Sequence, residues 1–217
     1  MSGIQQMLTG GTYKPAAPTT IGQAFGGGFY AGQIAVGGGG VATHYLIVSP
    51  KASGENASRT WGTSGVTTGF TSLINGPANS AGEAALGAAY QAATFCEGLT
   101  IGGYSDWYLP ATNELEVLYY FLKPTTTANA TGSGPNANAV SPEPISTNYT
   151  SGLPAQTSAG IGFRTGETNA FASASYWSST EGFAAVFSLA QSFDNGFQTT
   201  DSKNSSYYVR AVRRIPI

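Results

Sequence analysis

Cysteine occurs once in this 217-residue chain, at Cys96, and histidine once, at His44. A single cysteine excludes an intrachain disulfide and any zinc site built on several cysteines, so packing must hold the fold. Charge is equally scarce. Asp, Glu, Lys and Arg make up 9% of the residues, where about a quarter is usual, and the formal net charge is -2. A surface of Ser, Thr, Asn and Gly follows, and nucleic acid drops out as a partner, because binding it needs clustered Lys and Arg that displace counterions. No apolar run approaches the roughly eighteen residues of a membrane helix. Met1 to Thr20 also lacks the basic start and apolar stretch of a signal peptide.

What the chain has in plenty is glycine, 30 residues, about twice the ordinary share. Gly10-Gly11, Pro15 and Pro18 make residues 1–20 read as an extended arm, either disordered or docked on a neighbouring subunit. Residues 21–217 read as a single domain, long enough to bury a core. Phe29 to Ile34 and Tyr45 to Val48, joined by Gly37 to Gly40, predict a hairpin. Gly26 to Gly28 and the tetraglycine lack the Gly-Lys-Ser/Thr and following helix of a phosphate cradle. Residues 50–79 read as a polar loop with Trp61 and Phe70 plugged into the core.

Ser80-Ala81-Gly82-Glu83 has the form of a capping box and predicts a helix start. Leu86, Ala89, Tyr90, Ala93 and Cys96 would lie on one stripe of that helix, and Gly98 would stop it. Cys96 then reads as a small core residue; a nucleophile would want a histidine, and His44 lies in the hairpin. Asp106 to Pro110 reads as a short strand, followed by a second helix over 113–122, capped by Thr112 or Asn113. Glu114 and Glu116, two apart, point to different faces and make a poor acid/base pair; helix-dipole acids are the simpler reading. Residues 124–160 form a polar insert with almost no apolar periodicity, either functional or mobile. The Asn-x-Ser/Thr matches at Asn56, Asn129, Asn148 and Asn204 are expected by chance in such a composition.

The last fifth, Ser175 to Ile217, reads as a meander of short strands with a hairpin turn at Asp194-Asn195-Gly196 and a polar bend over Asp201 to Ser206. A stiff frame brackets it, Tyr176-Trp177-Ser178-Ser179-Thr180 at one end and the final strand Tyr207 to Arg214 at the other. Trp107, Trp177 and Arg210 are assigned to that structural frame. Arg210, flanked by apolar neighbours, must find acceptors, with loop carbonyls or Glu181 expected.

The glycine-rich hairpin, DWYLPATNELEVL from Asp106, the polar insert, YWSST and the closing YYVRAVRR, in that order, resemble the Lcl C-terminal domain family over most of the chain after Gly22. The resemblance implies an α+β, C-type-lectin-like fold with paired N- and C-terminal strands, two flanking helices and long loops. The family usually carries threonine after the proline of its Leu-Pro motif. Here that position is Ala111, which breaks the capping box.

Members of the family occur as adhesive tips of bacterial surface proteins and on phage tails. The resemblance, with the low charge and the arm, leads us to expect a virion protein, tail or tail-fibre associated. No catalysis, cofactor or metal is expected: formylglycine-making enzymes of this fold use several cysteines, and calcium lectins use Glu-Pro-Asn and Trp-Asn-Asp, whereas here Glu143-Pro144 is followed by Ile145. Exposed aromatics among small polar residues resemble a paratope, drawn from Phe183, Phe187, Phe193, Phe197 and Tyr207, about half of them buried by strand alternation. The expected ligand face is Phe183, Phe187, Gln191, Asp194, Asn195, Phe197 and Asp201. Expected partners are other virion proteins through the arm, a host-surface glycan or protein, and further copies of the chain, as a trimer. A structural or cement protein of the virion and a bacterial surface adhesin domain are the alternatives.

Overall fold

The computed structural model describes residues 16–217, so most of the expected arm lies outside the described residues. Of the arm's last residues, Pro18 is buried. The first strands are β1 (Ala24–Phe25), β2 (Gly28–Ile34) and β3 (His44–Val48), an antiparallel ladder. Tyr, Ile and Val supply the strand residues, and Gly38, Gly39 and Gly40 take φ of 72°, 82° and 73° in the connection, which a side chain would resist. A single helical turn, α1 (Lys51–Gly54), leads into β4 (Glu55–Thr60). Part of the expected polar loop is therefore a strand, and Glu55 pairs with Arg210 across it. Alternation hid β4, since ENASRT offers no apolar face.

The helix expected from Ser80 to Gly98 is two helices, α2 (Gly76–Ala85) and α3 (Gln91–Glu97), with Gly87 at φ 101° in the break. Pro77 sits in the first turn of α2, so Ser80 and Glu83 lie inside the helix and form no cap. Ser80 Oγ instead accepts from Leu109 N at 2.9 Å. Glu83 is buried with neither carboxylate oxygen hydrogen-bonded among the described residues. Burial, with Glu181 nearby, pushes its carboxyl well above the ordinary range, against the opposing pull of Lys203.

The next helix, α4 (Thr112–Leu122), is capped by Ala111, not by Thr112 or Asn113. Half of a capping box survives, because Glu114 Oε2 accepts from Ala111 N at 2.9 Å. Thr112 N donates to Thr180 Oγ1 and Asn113 N to Leu73 O, so neighbouring segments satisfy these two free donors of the first turn. Glu114 lies in the first turn, where the helix dipole favours an acid, and both Glu114 and Glu116 are buried against side-chain partners. Glu114 accepts from Tyr108 OH at 2.5 Å and from Arg214 Nε at 2.6 Å. Glu116 Oε1 accepts from Tyr149 OH at 3.0 Å.

The polar insert holds β5 (Ala139–Ser141) and is packed by its own amides. Asn129 Nδ2 donates to Pro154 O at 2.9 Å, Asn136 Nδ2 to Asn113 O at 2.7 Å and Asn138 Nδ2 to Ala35 O at 2.6 Å, all three residues being buried. Ile145 and Tyr149 carry the segment into the core. A long segment without apolar periodicity thus folds by satisfying its backbone with side-chain amides.

The remaining strands are β6 (Ser175–Glu181), β7 (Phe187–Ser192), β8 (Gln198–Ser202), β9 (Ser206–Arg210) and β10 (Val212–Pro216). One sheet runs β1-β2-β3-β10 with β5 also on β2, and the other runs β4-β9-β6-β7-β8. The expected closing strand is therefore two strands in two sheets. The chain crosses between them at Ala211, whose N donates to Gly54 O at 2.9 Å and whose O accepts from Ser49 N at 3.0 Å. The described residues form a mixed α+β fold dominated by sheet, in which β3 of the N-terminal hairpin pairs with the last strand. One apolar cluster gathers around Tyr119, Phe171, Tyr176 and Phe193, the other around Trp61, Trp107 and Trp177.

Candidate binding face

A buried ion pair forms the floor of the face. Lys203 Nζ lies 2.5 Å from Glu181 Oε1 and donates to Val66 O at 2.6 Å, with the Trp61 ring centroid 4.8 Å away. Glu181 at the end of β6 also accepts from Thr68 N and Gly69 N. Burial raises its carboxyl, but Lys203 and those two amides outweigh burial and leave it below the ordinary range. Three segments, 66–69, the end of β6 and the β8–β9 turn, are tied together here. The 182–186 turn is closed from Gly182 N to Phe187 O at 3.0 Å and held to its neighbours by Gly65 N to Ala185 O and Lys203 N to Val186 O. On this fixed turn Phe183 is 85% exposed, with the Phe187 ring 5.7 Å away, and Val186 of the same turn is also exposed.

The other exposed aromatic of the expected face, Phe197, is 53% exposed and follows the 194–196 turn at the far end of β7. The register pairs Phe187 with Ser202 and Gln191 with Gln198, so the length of the hairpin, roughly 15–20 Å, separates the two aromatic sites. Gly196, at φ 74°, lets the turn close on Tyr119; a Cβ there would fall 2.3 Å from that ring.

The polar members of the expected face turn to internal partners. Gln191 is buried and donates to Gly196 O at 3.3 Å. Asp194 Oδ1 accepts from Thr127 Oγ1 at 3.0 Å, which docks the insert on the turn. Asn195 Oδ1 accepts from Phe197 N at 3.1 Å, and Asp201 accepts from Ser205 Oγ and from Tyr207 OH. These four residues are tied into the scaffold, and the exposed side chains of the expected face are Phe183 and Phe197. Phe193 is fully buried, stacked on Phe171 at 4.1 Å, and Tyr207 packs on Trp177 at 4.6 Å.

The frame residues lie underneath. Trp107 and Trp177 have no exposed surface, and Trp177 Nε1 donates to Arg59 O at 3.0 Å. Arg210 donates Nε and Nη2 to Ser49 O at 2.9 and 2.7 Å, and Nη1 to Glu55 Oε2 at 3.0 Å. Its carboxylate partner is thus Glu55, not Glu181, which Lys203 occupies.

A model of the Lcl C-terminal domain matches residues 55–213, from β4 into β10. The chain belongs to the Lcl C-terminal domain family. No curated protein matches it. Within this Lcl C-terminal domain lie both helices around the DWYLP segment, the insert and the whole second sheet. The hairpin β2–β3 falls before the match, although β3 is the strand on which β10 pairs. Among the described residues, no group of three or more His, Cys, Asp or Glu is placed to hold a metal ion. No helix among them is long and apolar enough to cross a membrane.

Proposed function

We propose that this chain is a non-enzymatic binding module of a phage virion, tail or tail-fibre associated, that meets the host surface through the apolar knob at the β6–β7 turn. The observation that carries the reading is Phe183, a phenyl ring 85% exposed on a turn whose floor is a buried ion pair. A ring left in water adds nothing to the core, and contiguous exposed apolar surface marks interaction sites. The Phe187 ring stands 5.7 Å from it, and Val186 of the same turn is exposed as well. The surrounding Ser, Thr, Asn and Gly supply adaptable hydrogen bonding next to a rigid aromatic anchor. Members of the Lcl C-terminal domain family on phage tails support the virion setting. A knob this small binds weakly alone, and copies in a trimeric homo-oligomer on one particle would raise one another's effective concentration.

Replacing Phe183 and Phe187 by serine, and separately Phe197, tests the reading once circular dichroism has shown the variants folded. Loss of adsorption to host cells by assembled particles carrying Phe183→Ser and Phe187→Ser supports it. Loss of particle assembly would make the face a structural contact between virion proteins. Unchanged adsorption by the folded variants would overturn host recognition through this turn.

A further inference from the structure

At the edge of the second sheet opposite β8, a cavity of about 230 Å³ lies between β4 and α3. Arg59, Ala88, Gln91, Thr94 and Phe95 line it. Gln91, Thr94 and Phe95 stand at i, i+3 and i+4 and so share one face of α3, while Arg59 reaches in from β4. The volume falls below the roughly 300 Å³ at which pockets for drug-sized ligands begin, so the cavity has room for one side chain.

Arg59 is the charge that the fold leaves unanswered. Every other described Lys or Arg side chain donates to a carbonyl or a carboxylate. Among the described residues Arg59 forms no ion pair, and its Nε is buried without an acceptor. Residues 1–15 contain no Asp or Glu that could supply one. The side chain is nevertheless held. A bulge between Asn56 and Arg59 turns β4 just ahead of it, Arg59 O accepts from Trp177 Nε1 at 3.0 Å, and the guanidinium lies 5.3 Å from the Phe95 ring centroid, a cation–π contact. A planar fork of donors fixed in advance loses little freedom when an acceptor arrives.

We propose that this cavity receives the side-chain carboxylate of an Asp or Glu on a partner protein. Guanidinium donors match the two oxygens of a carboxylate in a bidentate pair, and Gln91 and Thr94, both exposed, add an amide and a hydroxyl beside it. A phosphate dianion would want a second cation, and the lining holds none. A neutral or basic group would leave the guanidinium unpaired in a site it had just closed to water. Ala88 and Phe95 take the methylene stem of the incoming acid. Leu86, 51% exposed in the break between α2 and α3 just before Ala88, offers an apolar contact next to the charged one, which suits the mixed surface of a protein partner. The site shares no residue with the Phe183 turn, so the two readings stand or fall separately.

NMR titration of the isotope-labelled chain tests it, with the acetylated and amidated tripeptides Ala-Glu-Ala and Ala-Gln-Ala as probes and acetate and inorganic phosphate as anion controls. Saturable shifts of the Arg59 Nε–H and of the Thr94 and Phe95 amides are expected with the glutamate peptide, and weaker binding with both controls. Arg59→Lys, which keeps the charge and loses the fork, should weaken binding about tenfold, and Arg59→Gln should abolish it. Gln91→Ala, at an exposed position, should weaken it about threefold, as loss of one neutral hydrogen bond does, and it decides the matter if the Arg59 variants do not fold. Phe183→Ser should leave the titration unchanged, which separates failure of this site from failure of the aromatic knob. Silence from the glutamate peptide at millimolar concentration, equal shifts with the glutamine peptide, acetate or phosphate, or full binding by folded Arg59→Gln would overturn the assignment.

Discussion

Lys203 Nζ and Glu181 Oε1 meet at 2.5 Å with both side chains out of solvent, and the two residues close the ends of different strand connections. Removing one partner strands the other charge in the interior, which costs about 3–5 kcal/mol. Lys203→Met is therefore expected to lower the free energy of unfolding by that much, read as a fall in the urea midpoint. Adding Glu181→Gln should recover part of the loss, since no charge is then left unpaired. The Phe183 turn stands on this pair, so host adsorption should fall in Lys203→Met even where the protein remains folded. A midpoint equal to that of the parent would show that the pair does not fix the turn.

Gly76 opens α2, and a Cβ there would lie 2.1 Å from Glu114 Oε2 and 2.7 Å from the Tyr108 ring. In an ordinary helix, Gly→Ala gains about 1 kcal/mol. Here the carboxylate that receives Arg214, Tyr108 and Ala111 would have to move, so Gly76→Ala is expected to cost about 2–4 kcal/mol. Chemical denaturation measures it, and a stabilised variant would show that Glu114 has room to retreat.

Much of the frame was legible because its signals are local. The hairpin strands, the Asp194-Asn195-Gly196 turn, α4 and the burial of the tryptophans follow from alternation, turn chemistry and ring size. What stayed hidden is what depends on distant partners. Glu114, Glu116 and Lys203 look like surface charges until Arg214, Tyr149 and Glu181 arrive from elsewhere in the chain. Ser80 and Glu83 have the spacing of a cap but sit inside a helix that Pro77 begins earlier. The insert reads as loop because amide hydrogen bonds leave no periodic trace. For the candidate face, the aromatics were visible in the sequence. The inward turn of Gln191, Asp194 and Asp201 was not, since strand register decides it.

Glu116 offers a pH test. Burial raises its carboxyl from 4.5 to about 7, against the lowering effect of hydrogen bonds from Tyr149 and its neighbours. A carboxyl raised in the folded state binds its proton more tightly there than in the unfolded chain, so stability falls as pH rises from about 4.5 to about 7 and is flat beyond. The full change is about 3 kcal/mol. Glu116→Gln keeps a partner for Tyr149 and removes the titration. The difference in melting temperature between variant and parent should therefore favour the variant increasingly across that window. A constant difference would mean that Glu116 keeps an ordinary carboxyl.

Ala111 occupies the N-cap of α4, and there the family's usual threonine is missing. Glu114 still reaches back to Ala111 N at 2.9 Å, but alanine has no oxygen to return the bond to the Glu114 N–H. Restoring that oxygen should stabilise the helix by about 1 kcal/mol, the ordinary worth of such a cap. Ala111 has no exposed surface, which makes serine a better choice than threonine, because it adds the acceptor without a methyl group. Ala111 N is also bonded to the carboxylate that Arg214 holds, so the cap residue is already positioned and little entropy remains to be lost. Ala111→Ser is expected to raise the melting temperature, and Ala111→Thr to raise it less or lower it through overpacking. A serine variant less stable than the parent would show that the buried site has no room for the oxygen, and that the half-box seen here is all this helix can accommodate.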